Sequence, residues 1–97
     1  MIIVWGRMTA NDGDIDNLIK VSLEHVHRSR EEPGCLHHSV QVDVENAQQL
    51  VFYEEWEDMA ALQTHFKVPG SNQFVTEAKK MCSSKNFDMK MYEASLF

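Results

Sequence analysis

The sequence predicts an α+β domain of the ferredoxin-like type, βαββαβ, with one four-stranded antiparallel sheet and all helices on one of its faces. Three observations lead there. Four stretches carry strand-type apolar patterning, the segments after the first and third repeat their apolar residues at helical spacing, and the order is strand, helix, strand, strand, helix pair, strand. The 97 residues fit a single domain spanning residues 1–97.

Ile2 to Met8 is β-branched and aromatic with apolar residues at both parities, Ile2, Val4 and Met8 against Ile3 and Trp5, which suits a strand covered on both sides. Asn11-Asp12-Gly13-Asp14 is a turn that also offers N-cap residues. Ile15, Leu18, Ile19, Leu23 and Val26 then define an amphipathic helix of roughly four turns up to about Arg30. Glu31-Glu32-Pro33-Gly34 stops it, since the residue before proline avoids the α region.

Leu36 to Asp43 alternates, with Leu36, His38, Val40 and Val42 sharing one face. A polar turn over Glu45-Asn46-Ala47-Gln48 leads to Leu50–Trp56, where Leu50, Phe52, Glu54 and Trp56 share a face. Asp58 can cap a short helix holding Met59, Ala60, Leu62, His65 and Phe66. Pro69-Gly70-Ser71-Asn72 interrupts, and Phe74, Val75, Ala78, Met81 and Cys82 mark a further helix of two to three turns. Phe87 to Glu93 alternates again as the last strand. With the helices on one side, the opposite sheet face is left bare although it carries apolar residues, so a homodimer with facing sheets is expected.

Composition excludes several function classes. A net charge of -6, with 9 Lys+Arg scattered among 15 Asp+Glu, gives no basic surface for phosphates, so no nucleic-acid partner is expected. The apolar N-terminal run is short and lacks a basic flank, and no stretch reaches membrane-spanning length, so no membrane partner is expected and a cytoplasmic location is. Cys35 and Cys82 stand alone and read as two reduced thiols. Domains of this size bury only about 60 to 65% of their unfolded surface. A site in so small a core is therefore expected to borrow part of itself from a second copy, which closes a sheet–helix cavity across the bare face.

Three motifs carry a resemblance. Glu32-Pro33-Gly34-Cys35-Leu36, then Phe52-Tyr53-Glu54-Glu55-Trp56-Glu57-Asp58, then Ala60-Ala61-Leu62-Gln63-Thr64-His65 resemble the antibiotic biosynthesis monooxygenase family over nearly the whole chain, to the closing Met91-Tyr92-Glu93-Ala94. The resemblance implies a dimeric α+β barrel of two ferredoxin-like subunits. It also implies a function class: cofactor-independent oxygenases on quinols or polyphenolics, alongside haem-degrading proteins and an isomerase-like enzyme. In the oxygenases an electron-rich phenolate passes an electron to dioxygen itself, so no metal, flavin or other cofactor is required, and the protein binds the aromatic, removes its proton and holds the anion.

Carried over residue by residue, the resemblance makes His65 the base and Trp56 a wall of the substrate pocket, with Phe52 beside it. Glu54 matches the acidic residue two before the tryptophan and would orient His65 or a substrate hydroxyl. Gly70 stands where many members have a second histidine. Gly6, His65 and Val75 stand where the haem-degrading branch has asparagine, tryptophan and axial histidine, so haem degradation by that triad is not expected.

Each site residue has a structural alternative: His65 against its helix's last carbonyls, Trp56 as core, Glu54 in an ion pair. The other histidines make no metal site by pairs, because His37 and His38 alternate across a strand and His25 and His27 diverge on a helix. Two further functions stay open: a non-catalytic dimeric small-ligand-binding or stress-response module, and a non-oxidative isomerase-type enzyme on a small carbonyl compound. His65→Ala is expected to abolish oxygen uptake with quinols without lowering the melting temperature.

Overall fold

The computed structural model describes residues 1–97, the side chain of residue 84 excepted. It contains β1 (Ile2–Ala10), α1 (Ile15–Ser29), β2 (Cys35–Asp43), β3 (Asn46–Trp56), α2 (Met59–Lys67), α3 (Pro69–Met81) and β4 (Cys82–Glu93). The strands form one antiparallel sheet in the order β2-β3-β1-β4, the ferredoxin-like arrangement. No helix is long and apolar enough to cross a membrane.

Register places the inward side chains in rows across the sheet. Val42, Leu50, Met8 and Phe87 form one row, Val40, Phe52, Gly6 and Met89 the next, and His38, Glu54, Val4 and Met91 the third. Against the first two rows α1 and α3 lay Leu18, Val26, Phe74 and Ala78, closing the main apolar core. A second cluster joins Ile2, Val4, Trp56 and Leu62. The third row, whose Val4 belongs to this second cluster, also carries a histidine and a carboxylate.

Four features differ from the sequence reading. A bulge between Cys35 and His37 breaks the parity of β2, so Cys35 packs with Trp56 and Leu62 while Leu36 is 56% exposed. The β2–β3 hairpin turns at Val44-Glu45, not over residues 45–48, because Asn46 to Gln48 already extend β3. Pro69 occupies the first turn of α3 instead of separating two helices, since proline's missing N–H has no partner to lose there. The last strand also starts earlier, at Cys82.

Both expected turns are tight. Gly13 and Gly34 have φ of 83° and 82°, a region in which side chains are strained. At Gly34 a Cβ would also come 2.5 Å from the Cβ of Ala61, so the turn before β2 and the first turn of α2 touch through a missing side chain. Asp58 caps α2 by accepting from the Ala61 N–H at 2.8 Å.

Candidate functional site

The three motifs meet in one buried cluster. Gly34 seats α2 on the β2 turn, and this brings Glu32 to His65, whose Nδ1 lies 2.8 Å from the Glu32 carboxylate. The Trp56 ring sits 4.6 Å from the His65 ring, and its Nε1–H donates to Glu54 at 2.8 Å. Ser71, in the first turn of α3, stands 3.5 Å from the same His65 nitrogen. Glu32 itself belongs to the site although sequence reasoning used it only as part of a turn. Its signal was the motif: the carboxylate precedes the proline-glycine turn that docks against the helix of His65.

A cavity of about 240 Å³ opens beside this cluster, between β1, β3 and β4 on one side and α1, α2 and α3 on the other. Gly6, whose place in its row carries no side chain, leaves room between Phe52 and Met89. The walls are mostly apolar, with His25, Glu54, His65 and Ser71 at one end and the ion-paired Arg7 and Asp88 among the other lining residues. The volume exceeds the ~150 Å³ cavity that takes up benzene, so a one- or two-ring aromatic fits.

Of the sequence-stated candidates, Phe52, Glu54 and His65 line this cavity together. Trp56 does not: fully buried, it lies behind His65 and Glu54 and supports both. His65 is in the last turn of α2, yet its ring is engaged by Glu32 and not only by the helix end. Gly6, His65 and Val75 all surround the cavity. The residues named so far come from one chain and already bring a histidine, two carboxylates and an apolar cavity together. The bare sheet face carrying Ile3, Trp5 and Tyr53 lies on the other side of the sheet from the cavity. The half-exposed Phe66 and Met89 stand among the residues that line the cavity.

Two buried histidines join the cluster unannounced by the sequence. His37 and His38 do point to opposite faces, and His27 diverges from His25, but one ring of each pair turns inward. His25, His38 and His65 form a triangle with ring centroids 5.3, 5.3 and 5.7 Å apart, and their nearest nitrogens lie within 4.8 Å of one another. Pairwise spacing could not reveal this, because the rings come from three elements.

A tetrahedral ion at about 2.0–2.1 Å from each nitrogen would require separations of about 3.3 Å. The Nδ1 of His25 is also engaged by Arg28 at 2.6 Å. As it stands the trio is a set of packed rings, of which His25 is hydrogen-bonded to Arg28 and His65 to Glu32.

The electrostatics follow from this burial. His25 stacks on Phe74 at 4.2 Å, and desolvation, then the His38 and His65 rings and the Arg28 guanidinium, hold it far below its ordinary value, at about 2. Burial alone would push the Glu54 carboxyl up, but His38 and the Trp56 N–H outweigh it and hold the group below its ordinary value. His38 Nε2 lies 3.3 Å from the Glu54 carboxylate. Burial raises the free thiols of Cys35 and Cys82, which gives neither the character of a nucleophile.

An α+β ferredoxin-like domain with an apolar cavity ending in a histidine–carboxylate pair is the class that fold and site define. Residues 1–77 match the profile of the family described as antibiotic biosynthesis monooxygenase, and the chain belongs to that family. A curated relative, uncharacterized protein sll1783 of Synechocystis sp., is 29% identical over 92 residues, which cover 95% of this chain and 62% of the relative. The chain thus spans about three fifths of that protein's length.

Among solved structures, a candidate antibiotic biosynthesis monooxygenase from Deinococcus radiodurans superposes with a TM-score of 0.94 at 24% identity, covering 100% of this chain and 95% of that one. A crystal structure described as antibiotic biosynthesis monooxygenase gives 0.89 at 26% identity, covering 99% and 100%.

Proposed function

We propose that the protein is a cofactor-independent monooxygenase acting on a quinol or other phenolic small molecule, with His65 as the base. The observation that carries this is the Glu32–His65 hydrogen bond at the polar end of an apolar, aromatic-sized cavity. Glu32 fixes the ring with Nδ1 as donor, leaving the Nε2 lone pair to take a substrate hydroxyl proton, and it balances the imidazolium once formed. Removing that proton raises the electron density of the ring, and the phenolate can then hand an electron to dioxygen. Glu54, held by Trp56 and lining the same space, orients the ligand; Phe52 supplies apolar wall.

The homodimer belongs to the same proposal. Ile3, Trp5 and Tyr53 are partly exposed on the face without helices and Tyr92 is half exposed there, an aromatic surface suited to a second copy. Light scattering that finds a stable monomer at working concentration would overturn it.

Oxygen uptake with a panel of quinols tests the activity. Wild type should consume oxygen with at least one, and Glu32→Gln, which keeps the shape but weakens the orienting charge, should lower kcat by about tenfold to a thousandfold. His65→Ala should abolish uptake, but contrary to the sequence-based expectation it should also lower the melting temperature, because His65 is 4% exposed and its loss leaves Glu32 unpaired. No uptake across the panel would sink the monooxygenase reading.

A further inference from the structure

The two histidines that line the cavity are each fixed by a charged neighbour, and the neighbours fix opposite tautomers. A guanidinium has only donors, so Arg28, 2.6 Å from Nδ1 of His25, must donate, and that nitrogen accepts. A neutral imidazole accepting at Nδ1 carries its hydrogen on Nε2. An ionised carboxylate has only acceptors, so Nδ1 of His65 donates to Glu32 and its lone pair is on Nε2. Among the described residues neither Nε2 has a hydrogen-bond partner, and the two rings stand 5.3 Å apart in the cavity wall.

Arg28 reaches this position because residue 70 is glycine. A Cβ there would stand 2.6 Å from the Arg28 Nε. The position that resembles the family's second histidine is therefore occupied, in space, by the guanidinium that sets the tautomer of His25. The low affinity of His25 for a second proton keeps it a neutral donor throughout the physiological range.

We infer that His25 is the anion-holding partner of His65, and that the cavity takes a ligand bearing an acidic hydroxyl on an aromatic or enolic carbon. This rests on the reading above that the cavity binds a phenol. The O–H bond breaks, its proton forms an N–H bond at Nε2 of His65, the electron pair stays on oxygen, and the Nε2–H of His25 hydrogen-bonds that oxygen. Arg28 is a positioning residue. The neutral electrophilic histidine is the same device by which a carbonyl oxygen is polarised without a charged donor.

4-Nitrophenol, whose anion absorbs distinctly, and 4-nitroanisole, which cannot ionise, test the inference together with long-range proton–nitrogen NMR of the histidine rings. Wild type should bind nitrophenol as the anion below the probe's own solution pKa, with hydrogen on Nε2 of His25 and on Nδ1 of His65. His25→Phe keeps the stack on Phe74 but lacks the donor, and should weaken anion binding by about ten- to a hundredfold while leaving nitroanisole unchanged.

Arg28→Met, and independently Gly70→Ala, which displaces the guanidinium without cutting it, should shift His25 toward the Nδ1–H form. An Nδ1–H tautomer of His25 in wild type, or full anion binding by His25→Phe, would overturn the inference and leave the phenol reading standing. Failure of wild type to bind either probe would overturn both. A Zn²⁺ titration that shifts all three rings together would make the trio a metal site and overturn the assignment of His25.

Discussion

The helix-covered side of the sheet divides into an apolar region and a polar one that differ in what their buried groups require. Around Leu18, Leu50, Phe74 and Ala78, side chains from every layer are apolar, and any tight arrangement satisfies them. One or two rows away, His25, His38, His65, Glu32 and Glu54 are nearly as buried, yet each must meet a partner of the right kind at the right atom. His38 and Glu54 stand in the row beyond the main cluster, so the apolar packing is interrupted where the cavity begins. In so small a domain this interruption sacrifices apolar burial, which points to selection for a site rather than for stability.

The largest expected effect breaks the apolar region and spares the polar one. Leu18, fully buried on α1, should cost about 2–5 kcal/mol when replaced by alanine, because the packed layers around it cannot collapse into the space. Denaturant unfolding would measure the loss. Nitrophenol binding at a temperature where the variant is folded should stay within twofold of wild type, and a larger change would mean the two regions are coupled through α1.

Next is Trp56→Phe. The ring still fills most of its volume, but Glu54 loses the donor at 2.8 Å, and a buried carboxylate short of a hydrogen bond costs about 1–3 kcal/mol. Its pKa should rise, since that bond helps hold it down against burial. An unchanged Glu54 titration by carboxyl-carbon NMR would show that His38 alone holds the charge.

Acid should separate the regions without a mutation. The folded pKa of His25 lies far below the 6.5 of its unfolded form, so below that pH the unfolded chain binds the extra proton and stability falls as pH falls. The loss starts near pH 6.5 and approaches ~1.4 kcal/mol per pH unit. Glu54, depressed from 4.5, adds its own loss only below that value. His25→Phe should therefore flatten the melting-temperature profile between pH 6.5 and 4.5, where His38, His65 and Arg28 still face the position. A persistent slope would place the proton-sensitive step on another group.

The same division explains what could be read without coordinates. Period-2 and period-3.6 patterns locate the apolar rows, because burial acts on every second or every third to fourth residue, and they give the strand order through the crossover rule. Leu36 misled because a bulge shifts parity without leaving a mark in composition. The polar cluster was half legible: Glu54, Trp56 and His65 stand in motifs, whereas His25 and His38 are single residues whose meeting depends on how α1 crosses β2. Arg28 was invisible, since its role depends on the absence of a side chain at Gly70 in another helix.

The smallest effect concerns how His65 is held. Asp58→Ala removes the cap of α2 and should cost about 1 kcal/mol. Helix ends fray locally, so a cap that positioned His65 would lower nitrophenol binding along with stability. His65, however, lies at the far end of α2 and is anchored by Glu32, while Ala61 rests on Gly34. Stability alone should therefore fall, and anion binding should persist. If binding falls in proportion, the helix positions His65 through its own integrity, and the contact between the glycine turn and α2 is only packing.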